Sequence, residues 1–78
     1  MNPWMRDDRV VSAEADAFAA DHARRLGLLS KANPLYRSAA AAFAEVAGEV
    51  PSTHPHTRIA LIMAAITCFM RVGEEKEA

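Results

Sequence analysis

The chain has 78 residues, a formal net charge of −1 and a single cysteine. This length predicts one domain with a small core, and one cysteine excludes an intramolecular disulfide. The near-neutral balance and a pI of about 6.3 argue against the overall basic character that is typical of a nucleic-acid-binding domain. A domain this small usually needs a metal, a disulfide or a partner subunit for stability, so the composition favours a partner.

The N-terminal residues lack the apolar stretch of a signal peptide, and the predicted location is therefore the cytoplasm. Alanine is abundant, and the chain has seven arginines but only two lysines. This composition is typical of a GC-rich bacterial, phage or plasmid gene.

The first predicted helix spans about residues 3–29 or, with a later start, 8–29. Asn2 followed by Pro3 has the pattern of an N-cap with proline at the first helical position, which favours the early start. Val11 and Phe18 recur at heptad spacing and predict the core face of this helix. His22 lies on the same face, where a partly buried histidine is expected and a pH switch is the alternative.

The second predicted helix spans about residues 34–48. Asn33 and Pro34 have the pattern of a cap and a first turn, and Gly48 and Pro51 mark the end. Phe43 and Val46 belong to its predicted core stripe, and the many alanines make the helix slim enough for close packing.

The third predicted helix spans about residues 55–72, begins at Pro55, and is followed by a charged tail at 73–78. Its apolar residues run from Ile59 to Met70 and surround the helix, so it must be covered on every side. The run is too short to cross a bilayer, which takes about 20 residues. The sequence therefore predicts burial of this helix against other helices, in the same chain or in another.

These elements predict an all-α fold, with residues 1–78 as a single three-helix domain. We expect a homodimeric helical bundle in which the C-terminal helix, about 55–72, is central. A compact monomer with all apolar residues internal is the alternative. The residues predicted to mediate self-association are Ile59, Ile62, Met63, Ile66, Phe69 and Met70.

No pattern typical of catalysis, cofactor binding or metal binding is found in the sequence, so we expect neither an enzyme nor a cofactor. His54 and His56 flank a proline in a spacing that is not typical of zinc sites. Cys68 lies within the apolar run and is predicted to be a buried hydrophobic residue.

Residues 22–44 contain four basic residues and no acidic one, which makes the region around the first turn locally basic. This basic turn and two aromatic residues, Trp4 and Tyr36, form the predicted partner-binding region. The candidate residues are Trp4, Arg24, Arg25, Lys31, Tyr36 and Arg37. Trp4 is expected to be a clamp over the domain's own core, and an exposed binding anchor is the alternative.

The predicted function is that of a small non-enzymatic regulator or inhibitor that acts by protein–protein binding, such as a phage- or plasmid-encoded antagonist of a host system. One alternative is a DNA-binding transcriptional regulator that uses the basic turn at 24–37. That alternative is weakened because Pro34 falls where a recognition helix should continue and alanines follow Arg37. A second alternative is a structural subunit of a larger complex. Membrane association is not expected.

Overall fold

The computed structural model describes the backbone of residues 3–77 and the side chains of residues 3–72. A 3₁₀ turn at Pro3–Arg6 precedes three α-helices, which are α1 at Asp8–Arg25, α2 at Leu29–Glu49 and α3 at Pro55–Glu77. No strand occurs within residues 3–77, which confirms the all-α prediction. Asn2 and the side chains of the predicted tail at 73–78 lie outside the described residues.

Helix α1 begins at Asp8, the later of the two predicted starts, because Asp7 provides the cap. The Asp7 carboxylate accepts a hydrogen bond from the backbone N–H of Arg9 at 2.9 Å. The helix ends at Arg25 and does not reach the predicted residue 29. Gly27, at φ 76°, forms a Schellman motif in which the Leu28 N–H donates to the Ala23 carbonyl at 2.9 Å.

Two glycine substitutions are expected to have opposite effects on stability. Gly27→Ala puts a Cβ on a left-handed residue and should lower the free energy of unfolding by about 1–2 kcal/mol. Gly48→Ala lies in a regular part of α2 with no atom within 4 Å of the new Cβ, and should raise it by about 0.5–1 kcal/mol. Urea denaturation of both variants measures whether each substitution raises or lowers the free energy of unfolding. A stabilised Gly27→Ala protein would contradict the assigned turn.

The prediction that the second helix begins near residue 34 is wrong, because α2 already begins at Leu29. The chain enters α2 directly from the Schellman turn, without a side-chain cap. Asn33 is therefore not a cap, and Pro34 lies inside the helix, where it leaves the Ser30 carbonyl without its helical donor. Both Ser30 and Pro34 are exposed, so water can reach this carbonyl.

Helix α3 begins at Pro55, as predicted, and the backbone stays helical past Gly73 to Glu77. The predicted end near residue 72 is therefore too early. In α2, the predicted core stripe is confirmed at Phe43 and Val46, which are both buried.

Within the single chain α2 is the middle helix, whereas the central position predicted for the C-terminal helix concerns the dimer and stays a prediction. Helix α2 packs along both α1 and α3, which meet each other only at isolated points. The three helices form a slab with backbone extents of 40 × 21 × 14 Å, in which α1 and α3 lie on either side of α2. In such a slab each outer helix is covered on one side only.

Helix α1 packs on α2 through small side chains, not through the large residues predicted as its core. Its buried residues are Val10, Ala13, Ala20 and Ala23. Alanine on both helices permits a close approach that larger residues would prevent. The predicted stripe consequently faces solvent, with Val11 55% and Phe18 75% exposed and His22 also exposed.

Candidate protein-binding surfaces

The widest apolar stripe of α3 faces solvent along its whole length. Helix α3 contacts the rest of the core through the opposite side, by Leu61, Ala65, Cys68 and Val72. The solvent-facing stripe, called the α3 stripe below, consists of Ile59, Ile62, Met63, Ile66, Phe69 and Met70, with exposures between 39% and 61%. All six residues predicted to mediate self-association therefore lie on one accessible surface.

The area of the α3 stripe is large for a protein of 8.5 kDa. Six large side chains that are about half exposed present on the order of 600 Å² of apolar surface, whereas the largest patch on a typical monomer is about 300–600 Å². A shallow depression beside it, between Ala44, Gly48 and Arg58, extends the same face toward α2. Together these residues approach the roughly 800 Å² that each partner contributes to a standard protein interface.

Tyr36 was predicted to be an anchor for a partner, and this prediction is wrong. The side chain is 1% exposed and belongs to the core around α2. Its hydroxyl donates a hydrogen bond to the Asp21 carboxylate. Burial, together with this hydrogen bond, raises the pKa of Tyr36 to about 12. The aromatic residue thus joins α1 to α2 from inside the domain.

Trp4 is partly buried against the core, as expected for a clamp. Its ring contacts the His54 ring with centroids 4.7 Å apart and an interplanar angle of 51°. This contact joins the 3₁₀ turn to the loop before α3. Trp4 therefore has a structural role at this end of the slab, and its exposed part is small for a binding anchor.

The predicted basic turn does not form a single surface. Lys31 and Arg37 are both exposed, but six positions on a helix place them about 120° apart around the α2 axis. Arg24 and Arg25 instead line a cleft with Arg71 of α3, beside Asp21. The Arg71 guanidinium lies 3.8 Å from the Asp21 carboxylate. This cleft is here called the arginine cleft, and the charge of Arg71 within it is paired with that of Asp21.

The helices α1 and α2 form an antiparallel hairpin, not a helix-turn-helix motif. Contacts run from Asp21 and Tyr36 near the turn to Arg9 and Glu49 at the far end. DNA-binding helix-turn-helix motifs instead cross at about 90–120°. The arrangement of α1 and α2 therefore gives no support to the recognition helix of the DNA-binding alternative.

An ion-pair network joins the start of α1 to the end of α2. The Arg9 guanidinium contacts Asp7 at 2.8 Å, Glu45 at 3.0 Å and Glu49 at 2.6 Å. Hydrogen bonding to Arg9 lowers the pKa of Asp7 to about 2 and also lowers the pKa of Glu49. This network has no local signal in the sequence, because 36 to 40 positions separate Arg9 from its α2 partners.

The Arg9 network predicts a specific dependence of stability on pH. The pKa of Asp7 is lower in the folded chain than its ordinary value of 3.8, so its stabilising effect is present above pH 4 and lost as the pH falls toward about 2. In Arg9→Met, the free energy of unfolding should change less with pH over this range. The pKa of Asp7 should return toward 3.8. Urea denaturation from pH 2 to 5 and carboxyl NMR titration measure both effects. The control Arg6→Met, at an exposed arginine of the preceding turn, should retain the wild-type curve.

Neither a metal centre nor a membrane span is found in the described part of the chain. No group of three or more His, Cys, Asp or Glu side chains is placed to hold a metal ion. No described helix combines the length and the apolar character required to cross a bilayer. Cys68 is buried, and burial raises the pKa of its thiol, which favours the unreactive protonated form.

A second surface escaped the sequence analysis, because its residues come from all three helices. Between α1 and α3, above α2, runs a groove lined by Ala17 and Phe18 of α1, Phe43 of α2, and Ala64 and Thr67 of α3. The 75% exposure of Phe18 on its wall is the clearest sign of this surface.

Comparison with known proteins finds no family, no curated protein and no solved structure that matches this chain. The surfaces described above are therefore the basis for the function of this chain.

Proposed function

We propose that the chain is a small non-enzymatic regulator that acts by binding another protein, and that it works as a homodimer joined through the α3 stripe. The observation that carries the proposal is the exposure of six large apolar residues on one side of α3. Leaving this surface in water is unfavourable at about 25 cal/mol per Å². A second copy of the chain offers the same surface, and two-fold symmetry pairs an apolar stripe with itself.

The paired polar side chains of the described residues support a structural role for them and not a catalytic one. Asp21 pairs with Tyr36 and Arg71, and Asp7, Glu45 and Glu49 pair with Arg9. These contacts join one helix to another, or cap a helix, and none converges on an enclosed pocket. A regulator or inhibitor that acts through its surfaces agrees with this distribution.

Light scattering over a dilution series, with a thermal melt at each concentration, tests the dimer. We expect twice the chain mass of 8.5 kDa and a melting temperature that rises with concentration. A monomer of unchanged melting temperature would refute self-association through α3.

Retention on heparin and on duplex DNA at low salt tests the DNA-binding alternative. Binding by the basic residues would fall steeply with added salt, because phosphate contacts release counterions. We expect no retention of the wild-type protein. Retention that is lost in Arg24→Glu and Arg25→Glu variants would instead favour nucleic acid as the partner.

A further inference from the structure

A depression between α2 and α3 borders the α3 stripe and shares no lining residue with the groove. It has a volume of about 370 Å³. Its floor is formed by Ala47 of α2 and Ala65 of α3, which are both buried. Among the described residues that line it, Arg58 alone carries a charge, so an apolar surface fits this depression best.

Small residues of α2 are the reason that the surface is recessed here. Ala44 and Gly48 are exposed and lie four positions apart, so they are neighbours on the same side of the helix. No atom comes within 4 Å of the position that a Cβ at Gly48 would take. The large side chains of the α3 stripe therefore project past this side of α2.

Half of the α3 stripe lines the depression, so the two form one continuous surface. The shared residues are Ile62, Ile66 and Phe69. Around the α3 axis, the centre of the depression lies roughly 60° from that of the stripe, whereas the groove lies roughly 150° away. A molecule that covers the stripe is therefore placed to cover the depression and not the groove.

The area of a stable interface also favours coverage of both parts. The stripe alone offers on the order of 600 Å², which is the upper end of the patch sizes seen on typical monomers. Each partner contributes about 800 Å² to an interface of standard size. Ala44, Gly48 and Arg58 extend the area that a dimer buries toward that size.

Dense packing requires large and small side chains to alternate across the interface. The core of a protein interface is packed as closely as a protein interior, and large side chains reach that density when they face small ones. The α3 stripe presents only isoleucine, methionine and phenylalanine. The small residues have to come from another part of the same surface, and Ala44 and Gly48 lie directly beside the stripe.

We propose that the second copy of the chain covers the depression as well as the α3 stripe, so that large side chains of each stripe pack on Ala44 and Gly48 of the other copy. This inference rests on the proposed function and names the part of α2 that enters the dimer. A two-fold axis gives both copies the same surface, so a patch with projecting and recessed parts can fit itself. A second copy supplies the row of large apolar side chains that fills the depression.

Ala44→Glu in the full chain tests the proposal. Ala44 is exposed in the single chain, so the variant should fold, whereas in the dimer its carboxylate would be buried against apolar side chains. We expect the dissociation constant of the dimer, measured by analytical ultracentrifugation, to rise about tenfold or more. Ala19→Glu is the matched control, since it makes the same change at an exposed alanine of α1 and should leave the dissociation constant unchanged.

Two further measurements need no added charge. In a dimer of one isotope-labelled and one unlabelled chain, isotope-filtered NMR should show contacts from the Ala44 methyl group to stripe side chains of the other copy. Ala44→Leu retains good helix propensity and should also weaken the dimer, because the larger side chain fills the depression.

The outcomes separate this interface from the dimer itself. If Ile66→Glu dissociates the dimer while Ala44→Glu and Ala44→Leu both leave it at wild-type strength, the α3 stripe pairs without α2 and the inference is wrong. Absence of NMR contacts from Ala44 to the other copy would overturn it as well, as would equal weakening by Ala19→Glu. A wild-type chain that stays monomeric would refute the dimer and this interface together.

Discussion

Ile66→Glu is expected to halve the solution mass, from twice the chain mass of 8.5 kDa to that of one chain. Ile66 lies near the middle of the α3 stripe, so a two-fold interface would bring the new carboxylates of both copies close together. Two unpaired charges in an apolar interface are strongly unfavourable. Because the side chain is already 45% exposed in the single chain, the monomer itself should still fold.

Light scattering and circular dichroism together measure this result. Met63→Glu is a second variant, with a side chain 57% exposed, and should give the same monomer with even less effect on folding. Val11→Glu is the control, since it makes a comparable change at a 55% exposed position of α1 and should leave the dimer intact. If both stripe variants remain dimeric, the interface lies elsewhere. If Val11→Glu dissociates the dimer as well, the effect is not specific to α3.

Tyr36→Ala should be the most destabilising single substitution proposed for this domain. Removing a buried aromatic side chain costs about 3–5 kcal/mol through lost burial and the cavity that remains. A domain of this size has a total stability of about 4–12 kcal/mol, so the variant should be partly or largely unfolded. Urea denaturation at a fixed protein concentration measures the loss, because dimerisation makes stability depend on concentration.

Tyr36→Phe separates the hydrogen bond to Asp21 from the packing of the ring, and should cost about 1 kcal/mol. Between pH 10 and about 12 the wild type should lose stability, because the unfolded tyrosine ionises while the folded one, with its raised pKa, does not. Tyr36→Phe should lack that loss. Phe18→Ala removes an aromatic ring that is 75% exposed and should change stability by only about 0.5 kcal/mol. A Tyr36→Ala protein as stable as this control would disprove the assigned core.

Patterns within one helix were predicted well where local chemistry determines them. Pro55 opens α3, as predicted, because proline restricts the backbone of its own residue. The stripe of α2 with Phe43 and Val46 was also found, since this helix has neighbours on both sides. The predicted helix start at Asn33 and Pro34 is wrong, because α2 already begins at the turn that precedes them.

The faces of the two outer helices could not be assigned from hydrophobicity alone. On α1 the large residues Val11 and Phe18 resemble a core stripe, yet Ala13 and Ala20 face α2. The close packing of two alanine-rich helices is therefore favoured over an arrangement that buries the larger side chains. On α3 every side is apolar, so the sequence could not indicate that Leu61 is inside and Met63 outside. The contact of Tyr36 with Asp21 could not be predicted, because it depends on how α1 and α2 align.

The central position of α2 also has a consequence for how the chain folds. Nearly all tertiary contacts join helices that follow each other along the chain, and each connection is a short turn. The entropic cost of closing long loops is therefore low, and domains with such local topology fold in microseconds to milliseconds. The contacts of α1 with α2 and of α2 with α3 can form in either order, since neither hairpin requires the other. A substitution that unwinds α2 therefore prevents both hairpins from forming. A substitution that unwinds α1 or α3 leaves the other hairpin able to form.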